Sequence, residues 1–503
     1  MQHQVNRREF IKSVGFSAAS LTIPGCRTNS LHLMGEASSE KPNLLFVFAD
    51  QFRRQALGFM NQDPVITPHF DRFARQGKVF TNAVSSFPVC SPFRATLMTG
   101  RFPLSTGVTT NCQPGLDLEL PPNEICLSDV LKAHGYRTGY IGKWHLECPS
   151  LNKSKQPEDG ATWSWDGWTP PGPRRRGFDF WYAYNTFDQH FTPHYWKDTP
   201  QRIEIKQWSV EHETNVAIDF IKKQPQDQPF ALFVSWNPPH TPRIAPEKYL
   251  SLYQNKDLPT RPNVIDEINR PQHQGYYAAV SSCDDNFGRL LDTLDQLGLA
   301  DNTIVVFTSD HGEMLQSHGK WNKNIWYEEA LGIPFLIRWP NRITPGPDDT
   351  LFACYDFMPT LLGLMHLPLP DAVEGTDNSD ILLGKSTVKP SSAFFAHYPN
   401  TGKVLAVGQP PSAYVQQGIK LRQNGIDWRH VGFRGLRTER YTYVVDRGMG
   451  DKPLQRLLYD NLNDPYQMNP IKTTHAQQNP IMAQFDLELQ HWLNKVHDPF
   501  PLK

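Results

Sequence analysis

The chain has 503 residues, with 50 Lys and Arg against 51 Asp and Glu, 12% aromatic residues and 43 prolines. That length holds a large core and suits one big α/β domain with a smaller companion. The near-zero net charge gives no ground for a nucleic-acid partner, and the aromatic content argues against disorder. Seven cysteines without a Cys-x-x-Cys pair are too few for a disulfide scaffold.

The N-terminus reads as a targeting segment. Asn6-Arg7-Arg8-Glu9-Phe10-Ile11-Lys12 precedes a mildly apolar run, residues 13–23. This has the form of a twin-arginine export signal, and the run is too short to span a bilayer. Ile23-Pro24-Gly25-Cys26 resembles a lipoprotein cleavage box, which makes Cys26 a candidate lipid anchor. Residues 1–26 are therefore read as signal and 27–40 as a polar tether. The expected location is the bacterial periplasm or cell surface.

The first predicted strand, residues 43–49, is almost wholly apolar, as suits a strand covered on both faces of a parallel sheet. It ends at Asp50-Gln51, and open α/β sheets place their sites just beyond such carboxyl ends. Thr67 and Pro68 open a helix. Residues 78–84 form a strand leading into Val89-Cys90-Ser91-Pro92-Phe93-Arg94. If a helix starts near Cys90, Arg94 lies one turn further on the same face. The helix's free N–H groups then favour an anion beside both. Alone, this pattern is equally a buried cysteine before an ordinary helix.

A helix over 127–134 and a strand over 138–141 run into Gly142-Lys143-Trp144-His145, where Lys143 and His145 alternate onto one face. Residues 149–200 are rich in Pro, Trp and Gly and show no persistent period. A long insertion of that kind is often functional. Its Arg174, Arg175 and Arg176 and its His190 and His194, among aromatic rings, would suit an anionic sugar through ion pairing and ring stacking; the alternative is that the arginines are solvated and the rings pack the loop. A helix over 210–223 and a strand over 230–236 follow, ending at Asn237-Pro238-Pro239-His240. The long helix 276–297 carries Asp284 and Asp285, read as structural or solvated. Strand 303–309 ends at Asp310-His311-Gly312-Glu313, followed by His318, Lys320, Lys323 and Tyr327-Glu328. A strand over 334–339 and a helix over 355–364 close this part. From about residue 391, short strand-like pieces at 393–397, 432–436, 441–445 and 457–460 precede a helix over 480–496. The division is a catalytic α/β unit, 41–390, and a smaller C-terminal α+β unit, 391–503.

Cys90-Ser91-Pro92-Phe93-Arg94, with its continuation to Arg101, resembles the signature of the sulfatase family, and Gly142-Lys143-Trp144-His145 resembles a second segment of that family. Asp50-Gln51, His240 and Asp310-His311 then fall in the family's order across residues 43–340. The resemblance implies an alkaline-phosphatase-like fold, a mostly parallel doubly wound sheet flanked by helices. It implies that a formylglycine-generating or sulfatase-maturating enzyme oxidises Cys90 to formylglycine. The hydrated aldehyde would attack sulfur beside Ca²⁺, or Mg²⁺ or Mn²⁺, held by Asp50, Gln51, Asp310, His311 and the residue at 90. Arg94 and Lys143 would neutralise sulfate oxygens. His240 would protonate the leaving alcohol, with Lys323 as alternative or partner, and His145 would act as the base that releases sulfate. Lys323 is assigned by its spacing to Tyr327-Glu328, and His318 is a candidate substrate contact. Asp-Gln and Asp-His, where many sulfatases have Asp-Asp and Asp-Asn, resemble the choline-sulfatase and phosphonate-hydrolase branch. The expected activity is hydrolysis of sulfate esters on a sulfated carbohydrate. A phosphonate or phosphate ester hydrolase and a non-catalytic glycan-binding homologue are the alternatives.

Overall fold

The computed structural model describes residues 41–225, 227–399, 403–404, 413–450 and 453–503. The signal, the tether and Cys26 lie outside the described residues. The main sheet is built from β1 (Asn43–Ala49), β2 (Lys78–Val84), β3 (Arg137–Lys143), β4 (Phe180–Tyr184), β5 (Phe230–Trp236), β6 (Thr303–Ser309), β7 (Phe335–Arg338) and β8 (Gly346–Ala353). Their spatial order is β8-β2-β7-β6-β1-β5-β3-β4. Neighbours are parallel, except that β7 runs antiparallel to β2 and β6. The apolar runs expected to be covered on both faces, β1, β5 and β6, are adjacent at the centre, and every residue in them is buried.

Six helices supply the covering. Alternate residues of β1 divide between two cores, Leu44, Phe46 and Phe48 on one face and Leu45, Val47 and Ala49 on the other. On the second face lie α1 (Pro68–Gln76), through Phe70 and Phe73, α4 (Ser209–Lys222) and α5 (Arg270–Gln296). On the first lie α2 (Cys90–Thr99), α3 (Leu127–Ala133) and α6 (Phe357–Leu364). This is the doubly wound arrangement expected. Asp284 of α5 is buried and accepts the N–H groups of His69 and Phe70 at the start of α1, a structural role.

Two strands depart from the expected pattern. β4 lies inside the insertion read as lacking strands, and pairs in parallel with β3 at the sheet edge. Its run Phe-Trp-Tyr-Ala-Tyr has no alternation and is flanked by other aromatics, so nothing in the pattern set it apart. β8 opens with Gly-Pro-Asp-Asp, residues that ordinarily mark a turn, and only its last four residues are buried.

A second sheet, antiparallel throughout, holds β9 (Ser392–His397), β10 (Phe433–Thr438), β11 (Tyr441–Asp446), β12 (Gln455–Asp460) and β13 (Ile471–Thr473) in chain order. The terminal helix α7 (Pro480–Lys495) packs on it, with Trp492 stacked on Phe394 at 5.9 Å. The core on the α2 side of the main sheet continues without a break into this sheet. Glu328 adds a buried ion bridge, pairing with Arg54 at 2.9 Å and with Arg437 of β10 at 2.6 Å. The described cysteines are all buried and free.

Candidate active site

Register alone brings the first groups together. Ala49 pairs with Trp236 on one side and with Ser309 on the other. The next residues, Asp50, Asn237 and Asp310, therefore leave the sheet side by side at the carboxyl ends of β1, β5 and β6. Cys90 is the first residue of α2 and points its Sγ into the same space, 3.7 Å from Asp50 Oδ1 and 3.3 Å from His311 Nε2. One ligand atom each from Asp50, Cys90, Asp310 and His311 lie within 4.8 Å of one another, and all four residues are buried.

Charge in this pocket is balanced by buried cations. Lys143 Nζ is 2.7 Å from Asp50 Oδ2 and donates to Asn237 Oδ1 at 3.0 Å. Burial alone would raise the Asp50 pKa, yet Lys143, His240, Lys323 and Arg94 hold it well below the usual carboxylate range. Asp310 goes the other way. Burial and the nearby Asp50 charge push it up to about 7. Two carboxylates held this close favour a cation between them.

Arg94 occupies a different role from the expected one. Its guanidinium donates to Asp310 Oδ2 through Nε and Nη2, to Asp50 Oδ2, to the Lys143 carbonyl and to Ser235 Oγ. Those bonds engage all five donors of the fork. Arg94 therefore braces the two carboxylates from behind and has no N–H left for a substrate oxygen.

The donor set suits a divalent metal ion. Asp50 and Asp310 supply hard oxygens. His311 shares its Nδ1 hydrogen with the Gly312 carbonyl at 3.0 Å, which leaves the Nε2 lone pair toward the carboxylates, 3.5 Å from each. Burial and the Lys323 charge keep this ring neutral. Gln51 donates through Nε2 to Glu313 and, at 3.3 Å, to Asn322, while its Oε1 accepts from Lys323 Nζ at 2.7 Å. Its carbonyl oxygen is thus turned to the Lys323 side of the pocket. Arg243 neutralises the buried Glu313 at 2.8 Å.

Two histidines complete the pocket. His145 is buried, with no protein partner on either ring nitrogen. Burial and the charges of Lys143 and Arg94 hold its pKa well below 6.5, so it is a neutral, open proton acceptor. Its backbone is left-handed, φ 55°, as is that of Gln51, φ 65°. Such backbone is rare outside sites that need a particular side-chain direction. His240 shares its Nδ1 hydrogen with the Thr241 carbonyl at 2.9 Å, and Asp188 Oδ1 stands 3.4 Å from the same nitrogen. Asn237 donates to Asp188 Oδ1 at 3.1 Å.

The insertion behaves differently from its expected part. Arg175 is buried, bonded to the Thr169 and Lys197 carbonyls and paired with Asp198. Arg176 is buried and donates to the Pro173 and Leu120 carbonyls. Arg174 bridges Glu119 and Glu147. The three cations thus brace the loop's own frame, each bonded to a protein carboxylate or carbonyl. His194 is buried against Asp166 at 2.7 Å, and His190 bonds the His240 carbonyl at 3.0 Å, so both sit a layer behind the pocket. His318 stacks on Tyr327 with rings 3.8 Å apart, and its Nε2 bonds Asn263 at 3.1 Å.

Sequence reading passed over Asn237, Asp188, Ser235 and Glu313. Asn237 and Glu313 follow strand ends already singled out, so position was a usable signal. Asp188 lies in an irregular loop and has no local signature.

Residues 42–367 match the sulfatase family. The chain is 34% identical over 497 residues to an endo-4-O-sulfatase of Bacteroides thetaiotaomicron, covering 92% of this chain and 94% of that protein. It is 33% identical over 503 residues to an ulvan-active sulfatase of Formosa agariphila, covering 96% and 86%. A solved chain from Bacteroides thetaiotaomicron, described under the metabolism of multiple glycosaminoglycans, superposes with a TM-score of 0.81 at 34% identity over 92% of this chain and 97% of that one.

Proposed function

The chain belongs to the sulfatase family, a sulfuric ester hydrolase of sulfated glycans, and on that premise we propose that it works through formylglycine made from Cys90 and a divalent metal ion. The observation that carries this is the convergence of Cys90, Asp50, Asp310 and His311 on one buried point. Asp50, Asp310 and His311 would hold the ion, with Gln51 Oε1 as a neutral fourth donor. The ion would supply Lewis-acid charge and the oxidised residue a nucleophilic hydroxyl. Calcium is the preferred ion, since the donors are mainly hard oxygens, and magnesium or manganese would fit the same set. The unmodified thiol is a poor nucleophile: burial and the Asp50 charge push its pKa up to about 12.

The chain's own groups divide the remaining work. Lys143 and Lys323 flank the pocket with positive charge and favour a tetrahedral anion there. His240 hands a proton to the departing alcohol oxygen. His145, neutral and unpartnered, accepts a proton when sulfate is released. The relatives named for a 4-O-sulfate and for ulvan support a polymeric sulfated glycan as substrate. The signal-like residues 6–23 support action in the periplasm or at the cell surface.

The test combines mass and turnover. Protein made in a host that matures sulfatases should carry a Cys90 peptide about 18 Da lighter than the unmodified one. It should release inorganic sulfate from ulvan or from a 4-O-sulfated glycosaminoglycan, and Cys90→Ala should abolish release. An intact thiol in that host, with full turnover, would refute the reading.

A further inference from the structure

We infer that Asp188 is a positioning residue of the catalytic centre: it holds His240 in the orientation needed to protonate the leaving alcohol. The inference rests on the proposed role of His240 as proton donor.

Three observations carry it. The Asp188 carboxylate stands 3.4 Å from His240 Nδ1, the nitrogen that also meets the Thr241 carbonyl at 2.9 Å. With both acceptors at Nδ1, the hydrogen on that atom is fixed and Nε2 is left for the substrate, the logic by which a carboxylate orients a catalytic imidazole. Secondly, Asp188 is itself held. Asn237 donates to it at 3.1 Å and to the Phe187 carbonyl at 3.0 Å, while its Oδ1 accepts from Lys143. Asp188 thus ends a hydrogen-bonded chain that begins at Asp50 and passes through Lys143 and Asn237. Thirdly, burial, Lys323 and Lys143 lower the His240 pKa and prevail, while Asp188 is the first of the two carboxylates that offset part of that fall.

The step balances simply. The S–O ester bond breaks with its electron pair going to the alcohol oxygen, and the sulfuryl group passes to the hydroxyl that the oxidised residue 90 would supply. The proton on His240 Nε2 passes to that oxygen, and the imidazolium becomes neutral imidazole. Asp188 stays ionised throughout and never touches substrate. Removing it should matter only where the leaving group needs a proton. A sugar alkoxide does, whereas 4-nitrophenolate leaves without one.

The experiment measures kcat and KM for wild type, Asp188→Asn, Asp188→Ala and His240→Ala in the mature, metal-loaded protein. Each is assayed on 4-nitrophenyl sulfate and on a sulfated oligosaccharide that the wild type cleaves. The expected result for both Asp188 variants is a fall of about 10- to 100-fold in kcat on the oligosaccharide, in the range set by loss of general-acid efficiency. The fall on the aryl ester should be at least about threefold smaller than that on the oligosaccharide, and thermal unfolding followed by circular dichroism shows that the variants fold. His240→Ala should show the same selectivity, more strongly. If His240→Ala is selective and the Asp188 variants are not, the inference on Asp188 is overturned and the His240 role stands. Equal losses on both esters, or a change confined to KM on the oligosaccharide, also overturn it. If His240→Ala shows no selectivity, the proton-donor reading itself fails.

Discussion

Replacing Arg94 by Lys keeps the charge and removes the fork. Five engaged donors become three on a more mobile stem, and at least one contact to Asp50, Asp310, Ser235 or the Lys143 carbonyl is lost in a fully buried setting. The expected cost is about 3 kcal/mol, since breaking a buried ion network leaves charge uncompensated. Urea unfolding of the metal-free protein measures it, and a cost under 1 kcal/mol would contradict the bracing role. Glu313 offers a second test. It takes a Gln51 amide hydrogen, so Glu313→Ala removes one of the three groups that hold the Gln51 carboxamide, leaving Asn322 and Lys323. Calcium affinity should drop about 10- to 100-fold by calorimetry, the usual effect of removing a partner of a metal ligand. Unchanged affinity would remove Gln51 from the donor set. At this scale residue types singled out Asp50, Cys90, Asp310 and His311, which strand ends and one motif announce and which the fold brings together. They did not show what Arg94, Arg175 and Arg176 bond to. A cation's role depends on what faces it, and Glu119, Asp198 and several backbone carbonyls arrive from distant parts of the chain.

The elements place these groups with little slack, and β3 shows it most clearly. Gly142 adopts φ 95°, and a Cβ there would meet the Ser235 carbonyl oxygen of β5 at 2.2 Å. The close approach lets the strand turn Lys143 toward Asn237 and Asp50. Gly142→Ala should therefore destabilise the protein by about 2 kcal/mol or more, from backbone strain and overpacking together. Sulfate release should fall with it as Lys143 moves. Thermal unfolding and turnover check the two effects, and a neutral result would show that the strands can separate locally. Strands β1, β5 and β6 were readable because each is a closed apolar run with a polar end. Helix α2 was readable through its motif. β4 and β8 were not, since aromatic crowding hides one and turn-forming residues open the other. The loop carrying Asp188 has neither period nor punctuation, and only the folded chain shows that it reaches His240.

For the whole molecule, the second sheet is part of the catalytic frame. Trp326 donates to Tyr459 of β12 at 3.1 Å, the Glu328 amide donates to Gln467, and Glu328 pairs with Arg437 of β10. Lys323 sits just before this anchored stretch. Burial would raise the Glu328 pKa, but Arg437 and Arg54 hold it down at about 2. The pKa is depressed on folding, so the bridge stabilises the protein above the unfolded value of about 4.3. That stability, about 3 kcal/mol, is lost as pH falls from there toward 2. Glu328→Gln should flatten this part of the acid-unfolding curve. It should also destabilise at pH 7, because two buried arginines lose their partner. Acid titration followed by circular dichroism distinguishes these outcomes from a mere surface pair, which would change neither. A C-terminal unit was foreseeable from the change of texture near residue 391. That it shares one continuous core with the main sheet was not, because the contacts join residues hundreds of positions apart.

Cys90 is 1% exposed at the first turn of a helix buried along its whole length. That fact sets a clock. On the proposed reading an oxidising enzyme must reach this sulfur, and the finished fold buries it together with every residue of its helix. On that reading oxidation comes first and folding second. A chain that folds early is locked as a thiol for as long as the fold lasts. The yield of active protein should then depend on a race between the maturing enzyme and the ribosome's product. Slower synthesis should raise the active fraction, whereas adding the maturing enzyme to purified, folded protein should raise nothing.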